Sequence, residues 1–300
     1  MFSKASRLYD YLLVETVSAD GTIVAKVRLA APLENLRKSL HGGAAALIVD
    51  ELTTACIMSQ RSFPGVTLSL SLQYLAGCNH GEVITVTSRV LRLGLKVVHT
   101  EAEFHREDGT LMVRASHVKY CAAPRPWLAL LWMRNSVAEM LVPLVLKKLT
   151  SLNGTLLHGL PDATPIIAKA FTEKQKKDYY ASLGEGPAPA AQLVGFDAAL
   201  AGASLRRTGE ETFVLDSSKE VGNPDGFLHG GCTAMLVDVV GTSALARHSE
   251  ANGESCGVST SIDLQYGAAG KGRVEFKTTV LNLGARVATV KVIASDSKGR

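Results

Sequence analysis

The sequence predicts an α+β fold made of two copies of one unit, in which a five-stranded antiparallel sheet wraps around a long central helix. Three observations carry this prediction: a duplicated motif, a long apolar run that begins at each copy of it, and strand patterns that follow. The chain of 300 residues also suits two domains of about 150 residues each.

The duplication is visible in two phrases, "SLHGGAAALIVD" at 39–50 and "FLHGGCTAMLVD" at 227–238. Five pairs of residues are separated by the same 188 positions: Asn35 and Asn223, His41 and His229, Gly42 and Gly230, Gly43 and Gly231, and Asp50 and Asp238. Such regularity indicates an internal repeat whose copies are structural equivalents.

Each copy of the motif opens a long run rich in Ala, Leu and Met, at 43–60 and 231–247. Neither run alternates as a strand does, so both predict helices that are buried on nearly every side. Strand patterns separated by turn signals occur at 22–30, 66–75, 83–93, 96–106 and 110–121. A sheet of these strands buries one face, and the apolar helix is what it wraps.

The predicted domains are 1–121 and 196–300, separated by a helical insert and linker at 122–195. When the copies are aligned, the second has no equivalent of the strand at 111–121. Two alternatives follow: either the sequence is cut short, or the second domain lacks its last strand.

The insert contains an apolar stretch at 127–149, interrupted by Arg134, Asn135 and Glu139 and broken at Pro143. These residues favour an amphipathic helix pair over a membrane span. The pair either packs on the outside of its own sheets or contacts a membrane surface, and the sequence leaves both alternatives open.

Composition excludes several classes of function. The net charge of +4 is spread along the chain without a basic block, so we expect no nucleic-acid partner. The five cysteines show no CxxC spacing, which favours free thiols in a reducing compartment. We expect a cytoplasmic protein, with a short mitochondrial presequence as the alternative.

The two helix starts are the places where the sequence predicts chemistry. A helix that begins at Gly-Gly offers unpaired N–H groups and a partial positive charge, and its glycines let a ligand approach closely. Such a start can stabilise an oxyanion, and Asn35 and Asn223 supply a second donor from the preceding loop. His41 and His229 adjoin these donors and could orient a carbonyl group or the loop.

The position of the aspartate predicts a site shared between the copies. Nine residues of helix advance about 13–14 Å and turn about 900°, so His and Asp of one copy point to opposite faces. If they are partners, the His-Gly-Gly of one copy must meet the Asp of the other across a pseudo-twofold interface. One composite site then contains Asn35, His41, Gly42 and Asp238. The other contains Asn223, His229, Gly230 and Asp50.

A carboxylate on a buried helix is costly unless it is paired or functional. We expect burial to raise the pKa of Asp50 and Asp238 towards the working range of a general base. The alternative is that each aspartate only caps a neighbouring backbone group. Glu51, beside Asp50, has Val239 as its counterpart, so it is not expected to take part in chemistry shared by both copies.

These residues resemble a known family. Over roughly residues 10–121 and 196–300, each copy is similar to a single hotdog domain of the acyl-CoA thioesterase type, as in the phenylacetate-pathway and "thioesterase superfamily member" enzymes. The resemblance rests on Asn-x5-His-Gly-Gly followed by Asp. It implies a tandem hotdog fold, in which the Asn side chain and the Gly N–H polarise a thioester carbonyl while the partner copy's Asp activates water or attacks.

The same resemblance implies a hydroxyl that positions water on the strand after the helix. Thr67 in "GVTLS" and Ser259 in "GVSTS" stand at this position. The first copy departs from the family pattern because "NLRKSLHGG" has no Gly between Asn and His, whereas "NPDGFLHGG" has one. We therefore expect the oxyanion loop of the first copy to be distorted.

Acyl-CoA is the substrate that the resemblance implies, with no metal or other cofactor. Four cations stand where family members often bind the coenzyme A phosphates: Arg92, Lys96, Lys119 and Arg286. Two other hypotheses remain, a non-catalytic acyl-CoA binding protein and an enoyl-CoA hydratase-like hotdog enzyme. Further association of the pseudo-dimer into a homo-oligomer also remains open.

Overall fold

The structure, a computed structural model, describes residues 12–30, 33–35, 37–61, 64–121, 205–216, 221–222, 226–252 and 257–299. The predicted insert at 122–195, with its two alternatives, lies outside these residues, as do Asn223 and Cys256. Neither helix within the described ranges is long and apolar enough to cross a membrane.

The first copy contains β1 (Leu12–Val17), β2 (Ile23–Arg28), α1 (Gly42–Met58), β3 (Val66–Tyr74), β4 (Val83–Leu93), β5 (Val97–His105) and β6 (Leu111–Tyr120). The second copy contains β7 (Leu205–Arg207), β8 (Thr212–Asp216), α2 (Gly230–Asn252), β9 (Ser261–Gln265), β10 (Arg273–Leu283) and β11 (Ala288–Asp296). The elements therefore recur in the same order, which confirms the predicted α+β tandem repeat.

The two copies are joined at the edges of their sheets. One sheet has seven strands in the order β1-β2-β4-β5-β6-β3-β9, and the other has four in the order β11-β10-β8-β7. Strand β9 of the second copy pairs antiparallel with β3 of the first, with Leu70 opposite Leu264 and Leu72 opposite Ile262. The backbone ladder between β3 and β9 thus joins the two copies at their sheet edges.

The strand counts differ from the predicted two sheets of five. The first copy has an additional strand, β1, whose pairing with β2 slips between Val14 and Thr16. This irregularity interrupts the alternation by which a strand is recognised in sequence. In the second copy, two strands precede α2 and three follow it, and no strand follows β11 among the residues described through 299.

The core lies between the concave face of each sheet and its helix. Alternate residues of β2, namely Ile23, Ala25 and Val27, are fully buried, as the pleat requires. Helix α1 is buried nearly all round because one side faces its sheet and the other packs against α2.

The second glycine of each motif makes the helix–helix contact close. A Cβ at Gly43 would lie 2.8 Å from the Met235 Cα, and a Cβ at Gly231 would lie 3.0 Å from the Leu47 Cα. No side chain fits at either distance, so the two glycines set the spacing at which α1 and α2 start side by side.

The expected distortion of the first loop is not observed at the residues that the structure describes in both loops. Lys38 adopts φ of 60° where its counterpart Gly226 adopts 77°, so the lysine takes the left-handed conformation usually left to glycine. Equivalent backbone hydrogen bonds close both loops, from His41 N to Leu33 O at 2.9 Å and from His229 N to Val221 O at 3.0 Å. At these positions the backbone of the first loop matches that of the second, at a cost in strain at Lys38.

The matching position in the second loop provides a test of this strain. We expect Gly226→Ala to lower the free energy of unfolding by about 1 kcal/mol, because alanine resists a positive φ. No described atom lies within 4 Å of the Cβ that would be added, so backbone strain alone acts. Urea unfolding measures the change.

Gly209→Ala is the matched control, since Gly209 has an ordinary φ and its added Cβ would lie 3.6 Å from Thr212, a normal contact. We expect this variant to be neutral or slightly more stable. Equal destabilisation by both substitutions would contradict the strain at position 226.

Candidate active site

Asp238 of helix α2 lies at the start of helix α1. Its Oδ2 accepts a hydrogen bond from Gly43 N at 3.0 Å and lies 3.5 Å from His41 Nδ1. The hydroxyl of Ser259 donates to its other carboxylate oxygen. The structure thus brings the aspartate of the second copy to the His-Gly-Gly of the first.

The reciprocal arrangement surrounds Asp50. Its Oδ2 accepts from Gly231 N at 2.7 Å and lies 3.3 Å from His229 Nδ1. Both aspartates are buried, with Asp50 2% and Asp238 9% exposed. Two composite sites therefore lie across the interface between the copies, related by its pseudo-twofold symmetry.

Each histidine is the N-cap of the helix that follows it. His41 has extended backbone angles, and its Nδ1 accepts from Gly43 N at 2.9 Å. His229 accepts from Gly231 N in the same way at 3.2 Å. A cap of this kind satisfies an N–H that has no partner within the helix, which explains why a ring nitrogen is placed here.

The first glycine of each motif leaves room for the opposing carboxylate. A Cβ on Gly42 would lie 2.8 Å from Asp238 Oδ2, and one on Gly230 would lie 3.1 Å from Asp50 Oδ2. The latter would also meet the Thr67 hydroxyl at 2.8 Å. A side chain at either position would therefore displace the aspartate.

The amide groups divide between two tasks. The N–H groups of Gly43 and Gly231 bind the aspartates, which leaves the N–H of Gly42 and Gly230, the first residue of each helix, as the donors available to a ligand. Asn35 Oδ1 accepts from the backbone of Arg37 at 2.8 Å and of Ser39 at 3.2 Å. Its NH2 is then the part of the amide that can donate to a ligand.

Two tyrosines outside the predicted set of site residues complete the helix starts. Tyr74 donates to the Gly42 carbonyl and Tyr266 to the Gly230 carbonyl, each at 2.8 Å. Burial raises the pKa of both phenols, so they remain protonated donors. The repeated ending "LQY" of "VTLSLSLQY" (66–74) and "VSTSIDLQY" (258–266) was the signal for them.

The Asp50 site also contains two residues of strand β6. Lys119 Nζ lies 3.4 Å from Asp50 Oδ1 and bonds to the Thr54 hydroxyl at 2.6 Å. His117 Nε2 lies 3.5 Å from the same carboxylate oxygen. Both side chains occupy inward positions of β6. Polar residues on a strand face that is otherwise apolar are the sequence feature from which they could have been recognised.

The environment of Asp50 changes the expectation for its acidity. Burial raises the pKa of this carboxyl, but the neighbouring Lys119 ammonium, together with a hydrogen bond from the Gly231 N–H, holds it below its ordinary value. The predicted upward shift is therefore wrong for Asp50, because a buried ammonium stands beside the carboxylate. Asp50 is ionised at neutral pH and is a weaker base than burial alone would make it.

The hydrogen bonds of His117 determine its tautomer. The Thr53 hydroxyl donates to Val49 O at 2.6 Å, so its oxygen accepts from His117 Nδ1 at 2.7 Å. The Nε2 atom then accepts from the Thr67 hydroxyl at 3.1 Å. Thr67 therefore turns its lone pairs towards the site, whereas Ser259 gives its proton to Asp238.

The four expected coenzyme A-binding cations lie in different surroundings. Lys119 is only 5% exposed and paired with Asp50, so its role as a surface phosphate ligand is not supported. Arg92 and Lys96 are exposed beside the β4–β5 turn, and Arg286 is exposed in the β10–β11 turn. Val97 pairs with Tyr120, which pairs with Val66, so the β4–β5 turn lies at the same end of the sheet as Thr67.

No group of His, Cys, Asp and Glu side chains within the described part of the chain is arranged to hold a metal ion.

The buried His117 predicts how stability depends on pH. Burial lowers its pKa from 6.5 to about 3, so unfolding takes up a proton at any pH between these values. Stability should therefore fall as the pH falls through this window, by at most about 1.4 kcal/mol per pH unit from His117. The lowered pKa of Asp50 adds a loss in the same direction below the ordinary carboxyl value of 3.8.

Urea unfolding of the wild type and of His117→Gln between about pH 7 and pH 4 measures this slope. Glutamine does not titrate, so its slope should be shallower by the contribution of His117. Parallel slopes for the two proteins would contradict a neutral, buried His117.

Two central helices wrapped by antiparallel strands, joined at a sheet edge and exchanging aspartates across their N-termini, define a tandem hotdog protein. A family model described as "Thioesterase superfamily" matches residues 38–113 and 225–300, together just over half of the chain. The chain therefore belongs to the thioesterase superfamily, in two copies.

Named relatives agree with this family. Acyl-coenzyme A thioesterase 13 of Homo sapiens is 28% identical over 105 residues, covering 34% of this chain and 75% of that protein. The mouse (Mus musculus) protein of the same name is 25% identical over 105 residues, with the same coverage. The chain is thus similar to acyl-CoA thioesterases over about a third of its length.

Solved structures are similar to about two fifths of this chain. The zebrafish thioesterase superfamily member 2 is 27% identical, with a TM-score of 0.37, covering 39% of this chain and 85% of that one. A hypothetical thioesterase from Streptococcus pneumoniae, solved with coenzyme A, is 20% identical with a TM-score of 0.36, covering 38% and 88%.

Proposed function

We propose that this protein hydrolyses acyl-CoA thioesters to the free acid and coenzyme A at two composite sites. The observation that carries the proposal is the exchange of aspartates, which puts Asp238 at the start of α1 and Asp50 at the start of α2. Each site then contains, within a few ångströms, a helix N-terminus for an oxyanion and a carboxylate for water.

The first step is attack by water on the thioester carbonyl. In the site of α1, the carbonyl oxygen accepts hydrogen bonds from Gly42 N–H and the Asn35 amide, which stabilise the negative charge that develops there. The Asp238 carboxylate takes the proton of the attacking water. The Ser259 hydroxyl, which donates to this carboxylate, fixes its orientation.

The second step is collapse of the tetrahedral intermediate. The carbon–sulfur bond breaks, the carbonyl re-forms, and the proton held by the aspartate passes to the departing thiolate. The products are a carboxylic acid and the thiol of coenzyme A, and the carboxylate is ready for another turn.

We assign equivalent groups to the site of α2, although Asn223 lies outside the described residues. Gly230 N–H and Asn223 are the proposed carbonyl donors, and Asp50 with Thr67 holds the water. The Thr67 hydroxyl already donates its hydrogen bond to His117. The water must therefore donate one hydrogen bond to the Thr67 oxygen and the other to Asp50. This arrangement directs the remaining lone pair of the water towards the carbonyl carbon.

Both domains are required for either site, since 1–121 and 196–300 each supply one half of it. The exposed Arg92 and Lys96 at the sheet end near Thr67 are the proposed contacts for the phosphates of coenzyme A. Coenzyme A, the leaving group, carries negatively charged phosphates, and exposed cations in this turn attract them.

Replacement of both aspartates tests the proposal. We expect Asp50→Asn with Asp238→Asn to lower kcat by about 10²–10⁴-fold, because each site loses its proton acceptor. Release of free thiol from a panel of acyl-CoAs of different chain length measures the rate, and each single variant reports the remaining site.

Asp216→Asn, at an exposed position paired only with Arg206 in the described contacts, is the control and should keep wild-type activity. A fully active double variant would exclude the mechanism. A wild-type protein that is stabilised by acyl-CoA but releases no thiol would identify a binding protein instead.

A further inference from the structure

We propose that Glu51 is a positioning residue of the Asp50 site, where it holds the ring of His229 with its proton on Nε2. The inference rests on the proposed function, because it assigns a role within one of the two proposed active sites. It concerns a side chain that has no counterpart in the other site.

Helix α1 contacts both nitrogens of the His229 ring with consecutive residues. Asp50 Oδ2 lies 3.3 Å from Nδ1, and Glu51 Oε1 lies 3.4 Å from Nε2. The Glu51 side chain is 10% exposed and the His229 side chain 23%. A carboxyl group is therefore kept largely out of water beside Nε2, the ring nitrogen that does not cap the helix.

The cap geometry places the ring proton. His229 Nδ1 accepts from Gly231 N at 3.2 Å, so this nitrogen carries a lone pair. In a neutral imidazole the proton is then on Nε2. The Nε2 atom lies 3.4 Å from Glu51 Oε1, and an acceptor at this distance favours this tautomer over the one with the proton on Nδ1.

The tautomer matters because the alternative would disturb the helix start. A proton on Nδ1 would point at Asp50 Oδ2 and would compete with Gly231 N–H for the same oxygen. The histidine would then no longer cap the helix, and the hydrogen bond from Gly231 N–H that orients the Asp50 carboxylate would be weakened. Glu51 prevents this loss of the cap because its contact with Nε2 keeps the proton on that nitrogen.

The site of α1 has a different residue at this position. The counterpart of Glu51 is Val239, a fully apolar side chain that is 1% exposed. His41 caps its helix with a shorter bond, 2.9 Å from Gly43 N, against 3.2 Å for His229. The Asp50 site thus combines a longer cap with an additional carboxylate.

The tautomer can be measured without reference to activity. Nitrogen-15 NMR of the full chain labelled at histidine reports which ring nitrogen carries the proton. We expect His229 to be protonated at Nε2 in the wild type and to shift towards a mixture of tautomers in Glu51→Val. A His229 protonated at Nδ1 in the wild type, or an unchanged signal in Glu51→Val, would overturn the proposal even if the protein had no thioesterase activity.

Turnover tests the consequence for the site. In the Asp238→Asn background, where the Asp50 site supplies the activity, we expect Glu51→Val to lower kcat about tenfold with little change in KM, since the reacting groups lose alignment. Glu51→Gln keeps an acceptor for the Nε2 proton and should restore most of the rate. An unchanged kcat in Glu51→Val, or no rescue by glutamine, would contradict a positioning role.

The reciprocal background separates positioning from a general loss of structure. In Asp50→Asn, where the Asp238 site supplies the activity, we expect Glu51→Val to change kcat less than about twofold, because the two sites are independent. Equal losses in both backgrounds would assign Glu51 a structural role and overturn the proposal. Absence of thiol release in every protein would instead count against the proposed function, with the NMR result still deciding Glu51.

Discussion

The hydrogen bond from a helix N-terminus of one copy to an aspartate of the other is the interaction on which the site geometry depends. It satisfies an amide that the helix cannot satisfy and gives a buried carboxylate its partner. Separating the copies would leave both polar groups without this partner. The need to satisfy both explains why Gly43 and Gly231 lie at the point of closest helix contact.

The sequence was sufficient for the features that depend on helix geometry. The nine-residue spacing between His229 and Asp238 predicts that they point apart, and the repeat supplies the only other histidine of the same motif. The glycine starts and the strand after each helix follow from local patterns. The tandem fold could therefore be predicted from the amino-acid sequence alone.

Features that depend on strand register could not be predicted. His117 and Lys119 are recognisable as polar residues on the inward side of β6, but their contact with Asp50 requires the β5–β6–β3 order. The direction of the Asp50 pKa shift could not be predicted for this reason. Lys38 illustrates a different limit. The loop keeps its conformation although a lysine must adopt a positive φ. The amino-acid sequence does not show whether the strain energy of this lysine exceeds the free energy that would be lost if the loop changed.

Duplication within one chain also permits the two sites to differ. In a symmetric homodimer, every substitution enters both sites. Here Glu51 faces His229 while Val239 occupies the matching place, and Thr67 and Ser259 direct their protons to different acceptors. Each site can thus be adjusted without changing the other.

The ladder between β3 and β9 has a consequence for how the chain is made. Its partners are separated by about 190 positions in the sequence, so the edge of β3 has no strand to pair with until the second half of the chain has emerged from the ribosome. An open strand edge invites pairing with other molecules. The first half is therefore most prone to aggregation during synthesis, before β9 has been made. Because β9 belongs to the same molecule, its pairing with β3 does not depend on protein concentration, and the time for which the β3 edge stays open is short.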